Sequence, residues 1–296
     1  MQNLLKKTVK LIALDLDGTI VREDQTISAE DRNAIARARR AGVTVVIATG
    51  RIYPTAAQWI SDLNITAPVI CSNGADIRES GATVAGTPIP KEQLEKAYHM
   101  AEKYGAQRFI FSGDHIYCTN DVYHKTLFEK WGLEKVKNGL VRYCGNFDDL
   151  MKTAGENAIK LLVCTADESR QPEILAGLKA LSGVDVVLGE TLHFELTAKG
   201  VHKGAALKTL AQKLGVNMEN IMAIGDSMND FEMIRGAGLG VAMGNAMPEL
   251  LKVADAVTLP ILENGVAHAI GKYVFGEQAD ISDRDIVLPG VYQTNP

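Results

Sequence analysis

The chain has 296 residues, of which 46% are hydrophobic and 23% charged, and its formal net charge is -5. That is enough length for two domains and enough apolar material for a sizeable core. The acidic balance argues against a nucleic-acid or anionic-membrane surface, and no stretch reaches the roughly 20 apolar residues that cross a bilayer. Cys71, Cys118, Cys144 and Cys164 form no CxxC pair, and the six histidines show no HxH or HExxH spacing. A reduced, cytoplasmic protein fits these residues better than a disulfide scaffold or a zinc site. The N-terminal MQNLLKKTVKLIAL imitates a signal peptide, but its apolar run is short, and Asp15 interrupts it before any small-residue cleavage site.

In chain order, an apolar strand at Lys10–Leu14 precedes a helix in TISAEDRNAIARARRAG, with Ser28 and Asp31 as its N-terminal cap and Gly42 as its stop. VTVVIATG is a β-branched run suited to a strand covered on both faces. PTAAQWISDL reads as a helix, and APVICSNGA as a short strand ending in a turn. This alternation predicts a parallel, doubly wound sheet.

The middle of the chain differs. DIRESGATVAG predicts a hairpin around Ser80–Gly81, KEQLEKAYHMAEKYG a helix ending at Gly105, and QRFIFSGDHIYCTN two strands joined at Gly113–Asp114. NAIKLLVCT, QPEILAGLKALSG and VDVVLG add strand, helix and strand. From Lys203 the α/β rhythm resumes: KGAALKTLAQKLG, IMAIGD, DFEMIRGAG and LGVAMGNA. The expected fold is therefore α/β, with a Rossmann-like core over residues 1–84 and 193–276. An α+β domain over 85–192 is inserted, and a polar tail over 277–296 is expected to be loosely docked or disordered. GAGLG at 236–240 is not a dinucleotide fingerprint, because a strand rather than a helix follows it.

In doubly wound sheets, ligands bind outside the carboxyl ends of the strands. Four strands here end in polar residues: Asp15 and Asp17; Thr49, Gly50 and Arg51; Ser72, Asn73 and Gly74; Gly225, Asp226 and Ser227. Asp230 follows one turn into the next helix. Alternate strand residues are about 6.6 Å apart, where two carboxylates repel by about 2.5 kcal/mol at an effective dielectric of about 20. Such a cluster needs protonation or a cation, and an all-oxygen site suits Mg²⁺. Lys203 adds positive charge. A metal-carrying acidic pocket with one lysine suits a phosphate group.

DLDGT (Asp15–Thr19), ATGR (Ala48–Arg51), KG (Lys203–Gly204) and GDSMND (Gly225–Asp230) resemble, in order, the four motifs of the haloacid dehalogenase (HAD) superfamily. SNGA, and an insertion between the second and third motifs, resemble its Cof-type phosphatases. The likeness runs from about Lys10 to Tyr273. It implies Asp15 as nucleophile, forming a phosphoaspartate, and Asp17 as general acid and then general base, its pKa raised by Asp15. It implies Mg²⁺ held by Asp15, the backbone carbonyl of Asp17, and Asp226. Thr49 and Lys203 would hold phosphate oxygens, and backbone N–H groups over Leu16–Gly18 would complete the cradle. Gly50, Arg51 and Asn73 border it, while Asn229 and Asp230 orient lysine, water or metal.

The resemblance implies a phosphatase of small phosphorylated metabolites, sugar phosphates or phosphorylated cofactors, acting as monomer or homodimer. The alternatives are a phosphomutase or phosphotransferase using the same phosphoaspartate, and a regulatory binding protein that keeps the fold without turnover. The insertion would act as a cap, with Arg108, His115 and Tyr117 as candidates to touch the leaving group.

Overall fold

The structure, a computed structural model, describes residues 8–119, 139–188 and 193–277. The expected tail lies outside the described residues apart from Glu277, which pairs with Arg37. The core is built on a parallel sheet of β1 (Leu11–Leu14), β2 (Thr44–Ile47), β12 (Ile221–Gly225), β13 (Leu239–Ala242) and β14 (Ala256–Val257), in the order β14-β13-β12-β1-β2. A bridge from Ala48 to Ile70 joins β2 to β3 (Val69–Cys71). This strand leads into an antiparallel ribbon with β4 (Asp76–Glu79) and β5 (Ala82–Gly86), turned at Ser80–Gly81 as expected.

Strand alternation decides which helices cover which face. Ile12, Leu14, Val45 and Ile47 pack with α1 (Ala29–Arg40), α2 (Tyr53–Asp62) and α9 (Gly265–Phe275). Leu11, Ala13, Val46 and Ala48 pack on the other face with α6 (Lys203–Lys213), α7 (Phe231–Gly236) and α8 (Pro248–Leu251). All four residues of β1 are fully buried, as its uninterrupted apolar run requires. The α1 terminus forms as predicted: Ser28 Oγ accepts from the Asp31 N–H at 3.0 Å. Asp31 Oδ1 in turn accepts from the Ala267 N–H at 2.7 Å, tying α1 to α9.

The inserted unit is a six-stranded sheet ordered β10-β11-β9-β6-β7-β8. Its strands are β6 (Gln107–Ser112), β7 (His115–Cys118), β8 (Val141–Tyr143), β9 (Ala158–Cys164), β10 (Val184–Leu188) and β11 (His193–Ala198). Helices α3 (Lys91–Lys103), α4 (Phe147–Ala154) and α5 (Gln171–Lys179) pack on one face against Ile110, Leu161, Val163 and Phe194. The opposite face carries Phe109, Phe111, Ile116, Leu162 and Cys164, and it packs on Ile52 and Ala75 of the core. The sheet therefore lies over the carboxyl end of β2 and the turn after β3. Because β11 is hydrogen-bonded between β9 and β10, residues 193–198 belong to this sheet, so the expected boundary at 192 falls too early. HFELTA reads alike as a strand of either unit, and only its pairing partner decides. Among the described residues no helix is long and apolar enough to cross a membrane.

Candidate active site

Asp15 leaves β1 between its neighbours, its N–H donating to Ile224 C=O at 3.0 Å. The chain then turns sharply. Leu16 C=O accepts from the N–H groups of Thr19, Ile20 and Val21, and Gly18 sits at φ +79°. Glycine is required there on two counts: the left-handed backbone, and a Cβ that would lie 2.2 Å from Asp226 Oδ2. The turn thus seats Asp226 against DLDGT, and Thr19 Oγ1 donates to Asp226 Oδ1 at 2.6 Å.

Lys203 reaches the same point from the first turn of α6, which His202 caps by accepting the Ala205 N–H. Its ammonium is fully buried and donates to Asp15 Oδ1 at 2.6 Å and Asp230 Oδ1 at 2.8 Å. Asp230 Oδ2 accepts from the N–H groups of Asp226 and Ser227. Both oxygens of Asp230 are thereby spent on positioning Lys203 and the loop that carries Asp226.

One carboxylate oxygen from each of Asp15, Asp226 and Asp230 lies within 4.8 Å of the other two, and all three residues are buried. One ammonium faces this cluster. Burial above all, then Asp230, push the Asp15 carboxyl well above its ordinary value; Lys203 opposes them, while Asp226 and Asp17 add to the rise. Burial works against the Lys203 charge, but Asp15 and Asp230 hold its pKa above the ordinary lysine value. Three carboxylates around one lysine leave an excess of negative charge in a buried pocket, and the all-oxygen donor set fits a hard divalent cation. Asp15 and Asp226 are the carboxylates placed to hold it, with Asp230 behind them.

The structure gives Asp17 a partner that the sequence reading did not supply. Arg51 Nε and Nη2 grip its carboxylate at 2.8 and 2.5 Å, and the Asp17 side chain is 54% exposed. Arg51 also donates to Gln25 and to Thr55 C=O. Thr49 is buried, its Oγ1 accepting the Arg51 N–H at 3.1 Å. After β3, Ser72 and Asn73 both adopt left-handed backbone, φ 49° and 57°, a strain of about 1–3 kcal/mol each that clusters at functional sites. That turn aims Asn73 at Asn229, whose Nδ2 donates to Asn73 Oδ1 at 3.1 Å.

Two buried side chains that reach the border of the site escaped the sequence reading. Lys160, in the middle of β9, donates to Gly50 C=O at 2.9 Å and to Glu195 Oε1 of β11 at 2.8 Å. Glu195 Oε2 accepts from Asn73 Nδ2 at 2.5 Å. The signal lay in the strands themselves: a lysine within AIKLLVC, all of it buried, interrupts a run that otherwise needs no charge. The cap residues singled out from the sequence lie elsewhere. Arg108 packs over the Tyr98 ring, whose side chain belongs to the helix-covered face. His115 meets Arg142 at the β7–β8 edge, in a cavity lined by Tyr117.

The haloacid dehalogenase-like hydrolase family profile matches residues 12–270. A Bacillus subtilis protein named 5-amino-6-(5-phospho-D-ribitylamino)uracil phosphatase YcsE is 34% identical over 268 residues, spanning 90% of this chain and 96% of its own. Bacillus subtilis phosphatase YwpJ is 30% identical, spanning 88% of this chain and 98% of its own. Among solved structures, a haloacid dehalogenase-like hydrolase from B. subtilis superposes with a TM-score of 0.80 at 30% identity, covering 88% of this chain and 99% of that one. A structure described as the HAD subclass IIB sugar phosphatase BT4131 superposes with a TM-score of 0.76 at 25% identity, covering 90% and 99%.

Proposed function

Because the chain belongs to the haloacid dehalogenase-like hydrolases, we propose that it is a Mg²⁺-dependent phosphatase of small phosphomonoesters, working through a phosphoaspartate on Asp15. One observation carries this reading: a buried carboxylate at the end of the central strand has one oxygen held by Lys203 and stands beside two further carboxylates. Relatives named as a phosphoribitylamino-uracil phosphatase and a sugar phosphatase support polyhydroxylated phosphates as the substrate class.

Lys203 fixes Asp15 by one oxygen, so the other is offered to phosphorus. Attack forms the Asp15 oxygen–phosphorus bond, and the ester oxygen leaves with the bonding pair and takes a proton from Asp17. Water then attacks phosphorus, Asp17 takes its proton, and Asp15 departs as carboxylate. The Arg51 grip on Asp17 is partly exposed, so the incoming phosphate can draw Arg51 to itself and release Asp17 for this role. Thr49, the N–H groups of Leu16 and Asp17, and Lys203 line the phosphate position, whereas the Gly18 N–H is taken by Val21 C=O at 3.1 Å. Asp15 and Asp226, with the Asp17 carbonyl, would hold Mg²⁺, which when bound would neutralise charge on the phosphoryl oxygens. The cap covers the crevice and excludes water.

The test is phosphate release from p-nitrophenyl phosphate. Turnover that needs Mg²⁺ and disappears in Asp15→Asn is expected; turnover retained by that variant refutes the covalent scheme.

A further inference from the structure

A chain of hydrogen bonds runs from the cap to the fourth motif, and its polarity is fixed at one end. Lys160 is buried beneath the sheet, with its ammonium 4.4 Å from the centroid of the Phe111 ring and donating to Glu195. Burial opposes the Glu195 charge, but Lys160 above all, with His193 and Asn73, lowers its pKa, so it is a carboxylate. A carboxylate only accepts, and Asn73 must therefore turn its NH₂ towards Glu195. That leaves Asn73 Oδ1 facing Asn229, which must answer with its own NH₂. Gly50 closes the back of this amide pair: a Cβ there would lie 2.9 Å from Asn73 Oδ1 and 3.3 Å from Asn229 Nδ2. Neither amide can flip without setting like groups against each other.

The last atom of the chain is Asn229 Oδ1, buried and without a hydrogen-bond partner among the described residues. A buried acceptor left unmade costs about 1–3 kcal/mol, so a fixed acceptor of this kind calls for a donor from outside the protein. Asn229 stands next to Asp230, which holds Lys203, and against Gly50, the residue after Thr49. Its neighbourhood is the phosphate side of the crevice.

We infer that Lys160 and Glu195 are positioning residues for substrate selection: through Asn73 they lock Asn229 with its carbonyl oxygen as the unpaired end of the chain, the acceptor for a hydroxyl of a polyhydroxylated leaving group. The inference rests on the phosphatase reading and adds to it a reason why the cap must be seated before such a substrate is held well. An apolar or aryl leaving group gains nothing from the arrangement.

The experiment compares Glu195→Gln with the wild-type enzyme on D-ribitol 5-phosphate and on p-nitrophenyl phosphate. Glutamine fills the same space but lets the amide chain adopt either polarity. The expected result is a loss of about tenfold in kcat/KM for ribitol 5-phosphate, the size of one hydrogen bond, with less than about twofold change for p-nitrophenyl phosphate. Equal losses on both substrates mean that the pair only seats the cap, and they overturn the inference, as does no loss on either.

If Glu195→Gln does not fold, the wild-type enzyme supplies the second measurement. Ribitol 5-phosphate should exceed n-pentyl phosphate by about tenfold or more in kcat/KM, and equal values overturn the inference. A wild-type protein that turns over p-nitrophenyl phosphate but not ribitol 5-phosphate defeats this inference alone. One that releases phosphate from none of the three defeats the phosphatase reading and the inference with it.

Discussion

The core and the cap each bury a lysine against carboxylates, and they do so in opposite electrostatic balance. In the core, Lys203 faces Asp15, Asp226 and Asp230, and the excess negative charge pushes the Asp15 carboxyl up. In the cap, Lys160 faces the single carboxylate Glu195, whose pKa falls. The first cluster carries more negative charge than its one lysine balances, which suits the proposed cation and phosphate. The second is satisfied as it stands and behaves as a fixed strut. Charge excess marks where chemistry is expected, and charge balance marks what holds it in place.

The largest break in this comparison is Asp15→Asn, which should lower kcat on p-nitrophenyl phosphate by at least about 10⁴-fold, because the nucleophile acts as a unit with its acid. Next is Lys203→Met. It strands two buried carboxylates and should cost about 3–5 kcal/mol, read as a lowered midpoint in urea. If the midpoint does not move, Lys203 carries no more charge balance than a surface lysine. Asp17→Asn should lower kcat by about 10²-fold on alkyl and aryl phosphates alike, because both pass through a phosphoaspartate whose water Asp17 deprotonates; a first-turnover burst of p-nitrophenol should survive, since that leaving group needs no proton.

Mg²⁺ sharpens the contrast through pH. The Asp15 carboxyl is raised above its ordinary value of 3.8, so the folded protein holds this proton more tightly than the unfolded chain does. That contribution is complete below the ordinary value and is lost as pH rises through the raised one. Mg²⁺ competes with the proton, so the stabilisation it gives, read as a rise in Tm, should be larger at pH 8 than at pH 5, with a free energy approaching about 2.7 kcal/mol at a hundredfold excess over Kd. A gain independent of pH contradicts the placement of the metal at Asp15. The smallest effect belongs to the exposed Lys96–Glu92 pair on α3, where Lys96→Ala should leave the urea midpoint essentially unmoved.

The core was legible in the sequence because its information is local. LIAL and VTVVIATG are buried strands, and the polar residues that follow them emerge at one end of one sheet, so Asp15, Thr49 and Asp226 could be brought together from pattern alone. The cap was not legible in the same way. Lys160 and Glu195 lie on strands paired in antiparallel register but 35 residues apart in the chain. Their meeting depends on a pairing that alternation cannot specify. The same non-local choice moved residues 193–198 into the cap sheet. Asp17 shows the limit on the core side: its spacing from Asp15 suggested mutual repulsion, whereas Arg51, on the loop after β2, takes its carboxylate.

The central claim is that Asp15 carries the phosphoryl group between leaving group and water. Each in-line displacement inverts phosphorus, so two in succession retain its configuration. Hydrolysis of a phosphomonoester made chiral with oxygen isotopes and sulfur should therefore give product with retained configuration at phosphorus. Inversion would mean that water attacks the substrate directly, and Asp15 would then be a metal ligand and nothing more.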